Sequence, residues 1–401
     1  MTGSDPVVRG DFDAATRFDV AAPAHPRIAI AHDYLTQRGG AEKVVLAMAR
    51  VFPDAPIYTT LYEPDGTYPE FAHLNVIPSA LNRVGPLRGN HRAALPLLPF
   101  AARSIHIDAD VVLTSTSGWA HGFTTTGKKL AYCYSPARWL YQSEAYLGSD
   151  ASRAKKLMLG VMSGYLKRWD RRSAISCDAY LAISSVVQTR IHDTYGIDAN
   201  VLFAPHTPND ATPEPIPEVE ALAGDLGFHL CVSRLLPYKN VDKVIDAFRD
   251  SHRRLVVVGR GPEAARLRRT SPSNVLMLQD LSDGQMRWLY QRCRAVVAAS
   301  YEDYGLTPLE AGVHGKPSAV LRWGGFLDTV LEGTTGVYFD RPDPRDIVSA
   351  LDELDDTEWN EHKIALHVAQ FSEASFSRGL HNAVDDLLDE HRLSTSRKGQ
   401  S

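Results

Sequence analysis

The chain has 401 residues, of which 44% are apolar and 23% charged, and its formal net charge is −5. These values are typical of a globular protein and exclude a disordered or fibrous chain. The length predicts two domains with tails. The pI near 6.3 argues against a general nucleic-acid-binding protein, because such proteins carry a broad basic surface.

The charge is unevenly distributed along the chain. Residues 1–205 hold 21 Lys and Arg against 18 Asp and Glu, a balance of +3, and the remainder holds 22 against 30, a balance of −8. Four scattered cysteines without a C-x-x-C pair indicate buried thiols in a reducing compartment. Residues 1–26 lack the apolar core of a signal peptide and are predicted to be a disordered tail. The expected location is the cytoplasm, with peripheral contact at the inner face of the plasma membrane.

Short β-branched segments alternate with helical patterns, which is typical of parallel sheets with crossover helices. In the first half, strands are predicted at 27–32, 110–117, 129–135 and 179–184, with a helix at 39–52. Four prolines then interrupt both patterns, at Pro208, Pro213, Pro215 and Pro217. Because proline blocks both sheet ladders and helices, the interdomain linker is predicted at 206–222.

The α/β pattern restarts after the linker. Strands are predicted at 228–235, 254–259, 274–279 and 295–300, and helices at 240–251, 262–270 and 283–293. The predicted domains, 27–205 and 223–375, are doubly wound Rossmann-like units that face each other across a cleft. A helix at about 376–392 is expected to pack back on the first domain, and 393–401 is a predicted tail.

Two glycine turns stand where ligands bind in open parallel sheets, at strand carboxyl ends that meet helix N-termini. Gly39 and Gly40 allow positive φ and let backbone amides and a helix N-terminus approach an anion. A plain turn before a capped helix is the alternative. Gly259 and Gly261 open a second tight turn, which lacks the full dinucleotide fingerprint and is not interpreted as a nicotinamide site.

Arg234 and Lys239 follow the first predicted strand of the second domain. A guanidinium and an ammonium five residues apart would clamp the two phosphates of a nucleotide. A solvated basic loop is the usual explanation of a lone Arg/Lys pair, and the position at a strand's carboxyl end puts the functional interpretation on an equal footing with it.

Glu302 and Glu310 lie on either side of Gly305, after the last predicted strand. Residues 307–310 form a capping-box pattern, with Thr307 as N-cap, which accounts for Glu310 without a ligand. The pattern does not account for Glu302, whose carboxylate suits the hydroxyls of a sugar. Gly305 lets backbone amides face a phosphate.

Together these motifs resemble the family-4 retaining glycosyltransferases of the two-domain GT-B architecture. The resemblance runs from about residue 27 to about residue 390, and it is carried by Gly39-Gly40, "SRLLPYKN", "VVGRGP" and the two glutamates. The segments "HDYLTQRGGAEKVV", "TSTSGWAHGF" and "YCYSPARWLY" are most similar to the WbaZ-like mannosyltransferase group.

The resemblance implies a donor site in the second domain. Arg234 and Lys239 would bind the donor diphosphate, and Glu302 would contact the donor sugar or the distal phosphate. Backbone amides of Tyr304, Gly305 and Leu306 would support Glu302, and Glu310 would hold the ribose hydroxyls.

The remaining implied positions line the cleft. Gly39 and Gly40 would bring first-domain amides to the phosphates, and residues 260–262 and 278–281, beside Gly259 and Gly261, would flank the base. The resemblance implies no metal and no cofactor, because the two cations and the helix termini would stabilise the leaving diphosphate.

One position departs from the pattern of many relatives, which carry a histidine in a "YCHTP"-like strand end. Here Tyr134 stands at that position, in "YCYSP". His121 is the candidate to act near the donor instead, and a buried structural histidine is the alternative. Arg138 and Trp139 are candidates for the acceptor side.

Two basic stretches of the first half bear on the acceptor. Residues 83–103 carry Arg83, Arg88, Arg92 and Arg103 among leucines, and residues 152–173 hold seven Lys and Arg against one Asp. Amphipathic basic segments lie on anionic lipid, and a solvated helix face is the alternative. We favour an acceptor linked to a membrane.

The sequence therefore predicts a metal-independent retaining hexosyltransferase. The expected reaction moves mannose from GDP-mannose to a lipid-linked or cell-surface polysaccharide, and UDP-sugars or other GDP-sugars remain open as donors. A nucleotide-sugar epimerase of the same architecture and a non-catalytic saccharide- or nucleotide-binding protein are the alternatives. No nucleic-acid partner is expected.

Overall fold

The computed structural model describes residues 26–88, 94, 97–141, 153–206 and 209–398. The predicted tail at 1–26 therefore lies almost wholly outside the described residues. The described part of the chain contains two large parallel sheets and one small one.

The first large sheet has the strand order β3-β2-β1-β5-β7-β8-β9, and its strands run parallel. Its strands, with the small β4-β6 sheet, are β1 (Ile28–His32), β2 (Ile57–Thr59), β3 (Val76–Pro78), β4 (His106–Ile107), β5 (Val111–Thr116), β6 (Thr124–Thr125), β7 (Lys128–Cys133), β8 (Ala179–Ala182) and β9 (Asn200–Val201). Both faces are buried: Ile30 of β1 packs in one apolar cluster, whereas Ala29 and Ala31 pack in the other. This two-sided burial explains why the strands are nearly continuous apolar runs.

The second large sheet is also parallel, with the order β12-β11-β10-β13-β14-β15. Its strands are β10 (His229–Val232), β11 (Leu255–Val258), β12 (Val275–Leu278), β13 (Val296–Ala298), β14 (Ser318–Leu321) and β15 (Gly336–Phe339). Successive residues alternate between faces here too, so that Val257 and Val256 lie in different clusters.

Helices connect the strands and cover both sheets. The α-helices are α1 (Gly40–Val51), α2 (Gly85–Arg88), α3 (Leu98–Ser104), α4 (Arg138–Tyr141), α5 (Arg153–Ile175), α6 (Ser185–Tyr195), α7 (Pro217–Ala223), α8 (Val241–Ala247), α9 (Ala264–Thr270), α10 (Asp283–Arg292), α11 (Leu306–Gly312), α12 (Phe326–Thr329), α13 (Pro344–Asp356), α14 (Glu361–Val368) and α15 (Glu373–Lys398). Short 3₁₀ helices are Pro69–His73, Ala80–Arg83, Ala120–Gly122, Gly224–Leu226, Pro237–Lys239 and Ala369–Phe371. Within the described ranges, none of these helices is long and apolar enough to cross a membrane.

Each large sheet has a point where its strand order reverses. In the first sheet the order reverses between β1 and β5, and in the second between β10 and β13. The loops after neighbouring strands diverge at such a point and leave a crevice outside the carboxyl ends, where ligands bind in open α/β sheets. The loops after β1, β10 and β13 carry Gly39, Arg234 and Glu302, so three of the sequence motifs lie at these two points.

The long helix α15, near the end of the chain, packs on the first sheet. Phe376 meets Tyr132 of β7 edge-to-face, with ring centroids 5.7 Å apart, and Leu380, Val384 and Leu387 belong to the same apolar cluster as β1 and β5. The chain therefore passes between the domains twice, once before the second sheet and once after it.

Two boundaries differ from those predicted. Helix α7 begins at Pro217, inside the predicted linker at 206–222, because proline is well accommodated at the first helical position. Val219 of this helix is buried among second-domain residues. Helix α15 continues to Lys398, through the predicted tail at 393–401, since neither proline nor glycine occurs between Leu380 and Lys398.

Replacing Leu380 by alanine should destabilise the first domain. Leu380 is 1% exposed, and a buried Leu→Ala change removes apolar contacts and leaves a cavity, which costs about 2–5 kcal/mol. Thermal unfolding followed by circular dichroism measures the change. Leu366→Ala is the control, because Leu366 is 65% exposed; equal melting temperatures for the two variants would contradict the packing described for α15.

Candidate functional site

The loop after β10 holds two of the predicted cations. Arg234 is exposed and its Nη2 donates to the Tyr238 hydroxyl at 3.2 Å, whereas Lys239 is only 7% exposed and its Nζ lies 5.0 Å from the centroid of the Tyr238 ring. Asn240 adopts a left-handed conformation, and its side-chain amide donates to the Ala299 carbonyl at 2.8 Å. That bond ties the β10 loop to β13, beside the point where the strand order reverses.

Lys239 forms an ion pair with Glu302, which comes directly after β13. The Ser300 hydroxyl donates to the same Glu302 carboxylate oxygen at 3.3 Å. Burial, together with the neighbouring positive charges of Arg234 and Arg138, lowers the pKa of Lys239 to about 7. The structure thus brings Arg234, Lys239 and Glu302 together, as the sequence predicts.

The turn after Glu302 requires a glycine. Gly305 has φ +87°, in the left-handed region, and a Cβ at this position would lie 2.6 Å from the ring of Phe326. Helix α11 begins at Leu306, directly after this turn, so Gly305 and not Thr307 is its N-cap. The predicted capping box is therefore wrong: the backbone turns into the helix two residues earlier than the Thr307 pattern indicates.

Glu310 does not cap α11, and its carboxylate accepts a hydrogen bond from another helix, α10. The Tyr290 hydroxyl of α10 donates to Glu310 Oε2 at 2.6 Å. Tyr290 is buried, and its burial together with the Glu310 charge raises its pKa well above the ordinary range, so it remains a donor. Glu302 and Glu310 thus lie before and within the first turns of α11, each carboxylate fixed by a neighbouring element.

Tyr304 and Leu306 contribute side chains to the contact between the domains. The Tyr304 hydroxyl donates to the carbonyl of Ala204, and its ring stacks on Phe203 with centroids 6.4 Å apart. Leu306 packs against the same first-domain cluster. Because these side chains are used in the domain contact, a ligand would meet the backbone amides at the start of α11, which have no intrahelical acceptor.

The first domain presents the N-terminus of α1 to this region. A Cβ on Gly40 would lie 3.9 Å from Leu306 Cδ1, which shows that the two helix starts face each other. Neither Gly39 nor Gly40 has a positive φ, contrary to the predicted use of these glycines. A Cβ on Gly39 would fall 2.6 Å from the buried carboxylate of Glu42, so a larger residue there would have to displace that side chain.

Gly259 and Gly261 allow the turn after β11 to lie against the β10 loop. Added Cβ atoms would fall 1.8 Å from the Ser233 carbonyl oxygen and 2.2 Å from that of Leu235. The next loop is joined to this turn by an ion pair between Arg260 and Asp280. The two segments that the resemblance assigns to the nucleotide base, 260–262 and 278–281, are therefore neighbours.

His121 does not reach this region. Its side chain is 1% exposed, its Nε2 lies 3.1 Å from Asp170 Oδ1 and its Nδ1 lies 3.3 Å from the Tyr180 hydroxyl. Asp170 also accepts from the hydroxyls of Tyr141 and Tyr195 at 2.8 Å each. The prediction that His121 acts near the donor is thereby corrected: a partner on α5, far away in sequence, holds the ring inside the first domain.

Tyr134, which the resemblance places where a histidine is expected, is part of a hydrogen-bonded chain. Its hydroxyl donates to the Ala41 carbonyl at 3.1 Å and lies 2.8 Å from the Ser115 hydroxyl, and Ser115 lies 2.9 Å from His32 Nδ1. Because Tyr134 gives its proton to Ala41, Ser115 donates to Tyr134 and accepts from His32. This series of hydrogen bonds fixes the start of α1.

Trp139, a candidate for the acceptor side, stacks on Trp119 with ring centroids 5.1 Å apart.

One group of charges, around Asp303, has no signal in the sequence. Asp303 is contacted by Arg190 and Arg138, both from the first domain, at 2.9 and 3.2 Å. The sequence predicts an acceptor-side position for Arg138. Nothing in the sequence indicates that Arg190, a single arginine within α6, reaches the other domain. Among the described residues, no group of three or more His, Cys, Asp or Glu side chains is placed to hold a metal ion.

Comparison with known proteins agrees with this geometry. The family model described as "Glycosyl transferases group 1" matches residues 213–370. The match falls on the second domain, which is similar to the glycosyl transferases of group 1. Arg234, Lys239, Glu302 and Glu310 all fall within the match.

Curated relatives match parts of the chain. The chain is 31% identical over 121 residues to the alpha-1,3/1,6-mannosyltransferase ALG2 of Dictyostelium discoideum, covering 29% of each protein. It is 28% identical over 210 residues to the GDP-mannose-dependent alpha-(1-6)-phosphatidylinositol monomannoside mannosyltransferase of Mycolicibacterium smegmatis, covering 46% of this chain and 54% of the relative. The chain therefore spans about half or less of the length of these relatives.

Solved structures resemble the whole chain in fold. The Anabaena protein Alr3699/HepE, in complex with UDP-glucose, superposes with a TM-score of 0.63 at 16% identity, covering 90% of this chain and all of that one. The predicted fold class is confirmed: the chain has the GT-B architecture of two Rossmann-like domains. The similarity to the WbaZ-like group remains a prediction.

The affinity for a nucleoside diphosphate should fall as the pH rises from 7 to 9. Lys239 loses its proton near pH 7 in the free protein, and a bound diphosphate favours the ammonium form, so binding above pH 7 requires proton uptake. The terminal phosphate of the ligand, with a pKa of about 6, is already ionised in this range. We expect about tenfold weaker binding for GDP at pH 9 by isothermal titration calorimetry, at most tenfold per pH unit.

The Lys239→Arg variant is the control for this measurement, because a guanidinium stays protonated at pH 9. Its affinity should change little over the same range, whatever its absolute value. Identical slopes for the wild type and the variant would rule out Lys239 as the titrating group.

Proposed function

We propose that the protein is a retaining glycosyltransferase that uses a nucleotide-sugar donor. The observation that carries the proposal is the grouping of Arg234, Lys239 and Glu302 at the reversal point of the second sheet, opposite the N-terminus of α1. The glycosyl transferases group 1 match over residues 213–370 supports it.

The chemistry of the site suits the departure of a nucleoside diphosphate. Transfer of the sugar develops negative charge on the leaving phosphates, and cations fixed in advance stabilise that charge as it forms. Lys239 is held by Glu302 and the Tyr238 ring, so little reorganisation is needed. The start of α11, after Gly305, offers unpaired amides to the same phosphates.

The carboxylates would hold the sugars of the donor. Glu302 is next to the cations and is suited to the hydroxyls of the transferred hexose. Glu310, anchored by Tyr290, would bind the ribose hydroxyls, and the paired loops around Arg260 and Asp280 would flank the base. The acceptor oxygen would bond to the anomeric carbon on the face from which the phosphate leaves, which retains the anomeric configuration, and the leaving phosphate would help to take up the acceptor's proton.

The proposed donor is GDP-mannose and the proposed product is a mannosylated saccharide. Two relatives named as mannosyltransferases support this assignment, one of them GDP-mannose-dependent. A structural neighbour whose complex contains UDP-glucose makes a UDP-sugar the main competing donor. We propose metal-independent transfer, because side-chain cations and helix termini supply the positive charge at the leaving group.

The proposed acceptor is lipid-linked, and two first-domain surfaces support this. Helix α3 exposes Phe100 (62%), with Leu97 (45%) directly before it. Helix α5 exposes Tyr165 and Ile175 on the surface that carries four cations, Lys167, Arg168, Arg171 and Arg172. Exposed aromatic and aliphatic side chains beside basic residues suit an anionic lipid surface. Arg92 lies outside the described residues, and Arg88 is neutralised by Glu63 at 2.6 Å.

Turnover assays with GDP-mannose, UDP-glucose and ADP-glucose test the function. We expect release of GDP from GDP-mannose in the presence of a lipid-linked saccharide, with undiminished rates after treatment with EDTA. Arg234→Ala should lower kcat by about 10²-fold or more, the usual loss when one transition-state donor is removed. Arg345→Ala, at an exposed position of α13, is the matched control.

Four outcomes would contradict parts of the proposal. Conversion of the donor alone into an isomer would identify an epimerase. Preference for a UDP-sugar would overturn the GDP-mannose assignment, and loss of activity with EDTA would overturn metal independence. Wild-type activity in Arg234→Ala would remove this residue from the leaving-group site.

Membrane contact is tested separately by sedimentation with vesicles of phosphatidylcholine and phosphatidylglycerol. We expect binding that grows with the phosphatidylglycerol content and weakens with salt. The double change Arg168→Glu and Arg171→Glu should weaken binding about tenfold or more, at about 1 kcal/mol for each basic residue. Equal binding of the double variant and of Arg345→Glu would show that α5 is a solvated face.

A further inference from the structure

Asp303 connects the domains through charge as well as through its backbone. Arg190 Nη1 lies 2.9 Å from its Oδ1, and Arg138 Nη1 lies 3.2 Å from its Oδ2. Both arginines come from the first domain, whereas Asp303 follows Glu302 in the second. Two cations of one domain are therefore directed at a single carboxylate, one residue away from the proposed donor site.

Other contacts also join the domains at this point. The Ser185 amide donates to Asp328 Oδ2 at 2.9 Å, and the Ser184 hydroxyl donates to the Asp303 carbonyl. Tyr304 packs into the first-domain cluster beside Phe203. The ion pairs are thus an addition to an interface that already has polar and apolar contacts.

The two arginines have different surroundings. Arg190 also donates to the Ser135 hydroxyl at 2.8 Å, which fixes it within the first domain. The Arg138 guanidinium instead lies 5.7 Å from the centroid of the Tyr238 ring, the ring that Lys239 also faces. The Arg138 guanidinium therefore lies beside the same tyrosine ring as the Lys239 ammonium of the β10 loop, although Arg138 belongs to the first domain.

The six charged side chains that these contacts link do not balance one another. Arg138, Arg190, Arg234 and Lys239 supply four positive charges, and Glu302 and Asp303 supply two negative ones, which leaves +2. A diphosphate ester carries the opposite charge, and guanidinium groups bind phosphate oxygens through two parallel hydrogen bonds.

We propose that Arg138 is a phosphate-binding residue contributed by the first domain, and that Asp303 occupies it until the donor arrives. On binding, the guanidinium exchanges the Asp303 carboxylate for oxygens of the donor diphosphate, while Arg190 retains Asp303. This inference rests on the proposed function. Its consequence is that the leaving group is fully stabilised only when both domains contact it.

Binding of GDP and UDP to variants, measured by isothermal titration calorimetry, tests this exchange. Arg138→Ala should weaken binding of the preferred nucleotide at least tenfold, and Arg138→Lys should recover part of the loss. Asp303→Asn should leave binding unchanged or strengthen it, because a competitor for Arg138 is removed. A purely structural latch predicts instead that Arg138→Ala and Asp303→Asn weaken binding alike.

The outcomes separate this inference from the proposed function. Wild-type nucleotide affinity in Arg138→Ala, or equal losses in Arg138→Ala and Asp303→Asn, would overturn the inference while transfer by the wild type still supports the function. A wild type that binds nucleotide through Arg138 but transfers no sugar would overturn the function alone. Circular dichroism melting curves verify folding, and Arg345→Ala is the control, which should bind as the wild type does.

Discussion

The direction of the strands is the constraint on which the site depends. Both large sheets are parallel, so the loops after their strands emerge at one edge, and a reversal of the strand order opens a crevice there. Lys239 and Glu302 are 63 residues apart in sequence, yet they meet, with Arg234 beside them, because β10 and β13 are adjacent. The same geometry in the first sheet directs the start of α1 toward α11.

Burial of charge is the main cost of this arrangement. Lys239 is almost fully buried, and its ammonium form is stabilised by Glu302, by the face of Tyr238 and by the charge of Asp303. Keeping an ammonium group charged in a low-dielectric site costs free energy, because the group loses its hydration. A ligand that brings negative charge offsets this cost, so the site is poised for an anion rather than optimised for stability.

Much of the fold follows from the sequence, because apolar runs and turn residues act locally. The strands β1, β5, β10 and β11 lie within the predicted segments, and the Arg234, Lys239 and Glu302 grouping follows from their places after strands. What depends on distant partners could not be predicted. The burial of His121 is decided by Asp170 on α5, and the contact of Arg190 with Asp303 is decided by the docking of two domains. The sequence pattern predicts that α11 starts after Thr307, but the left-handed turn at Gly305 starts the helix two residues earlier.

The position of α15 has a consequence for biosynthesis. The first sheet is made early, yet the apolar surface that Phe376, Leu380 and Val384 cover belongs to it. During translation this surface stays uncovered until α15 has left the ribosome, whereas the core residues of the second domain are all synthesised before α15, so the second domain can complete its core before the first. The nascent chain must keep an unfinished sheet from aggregating throughout that interval, which makes the order of folding opposite to the order of synthesis.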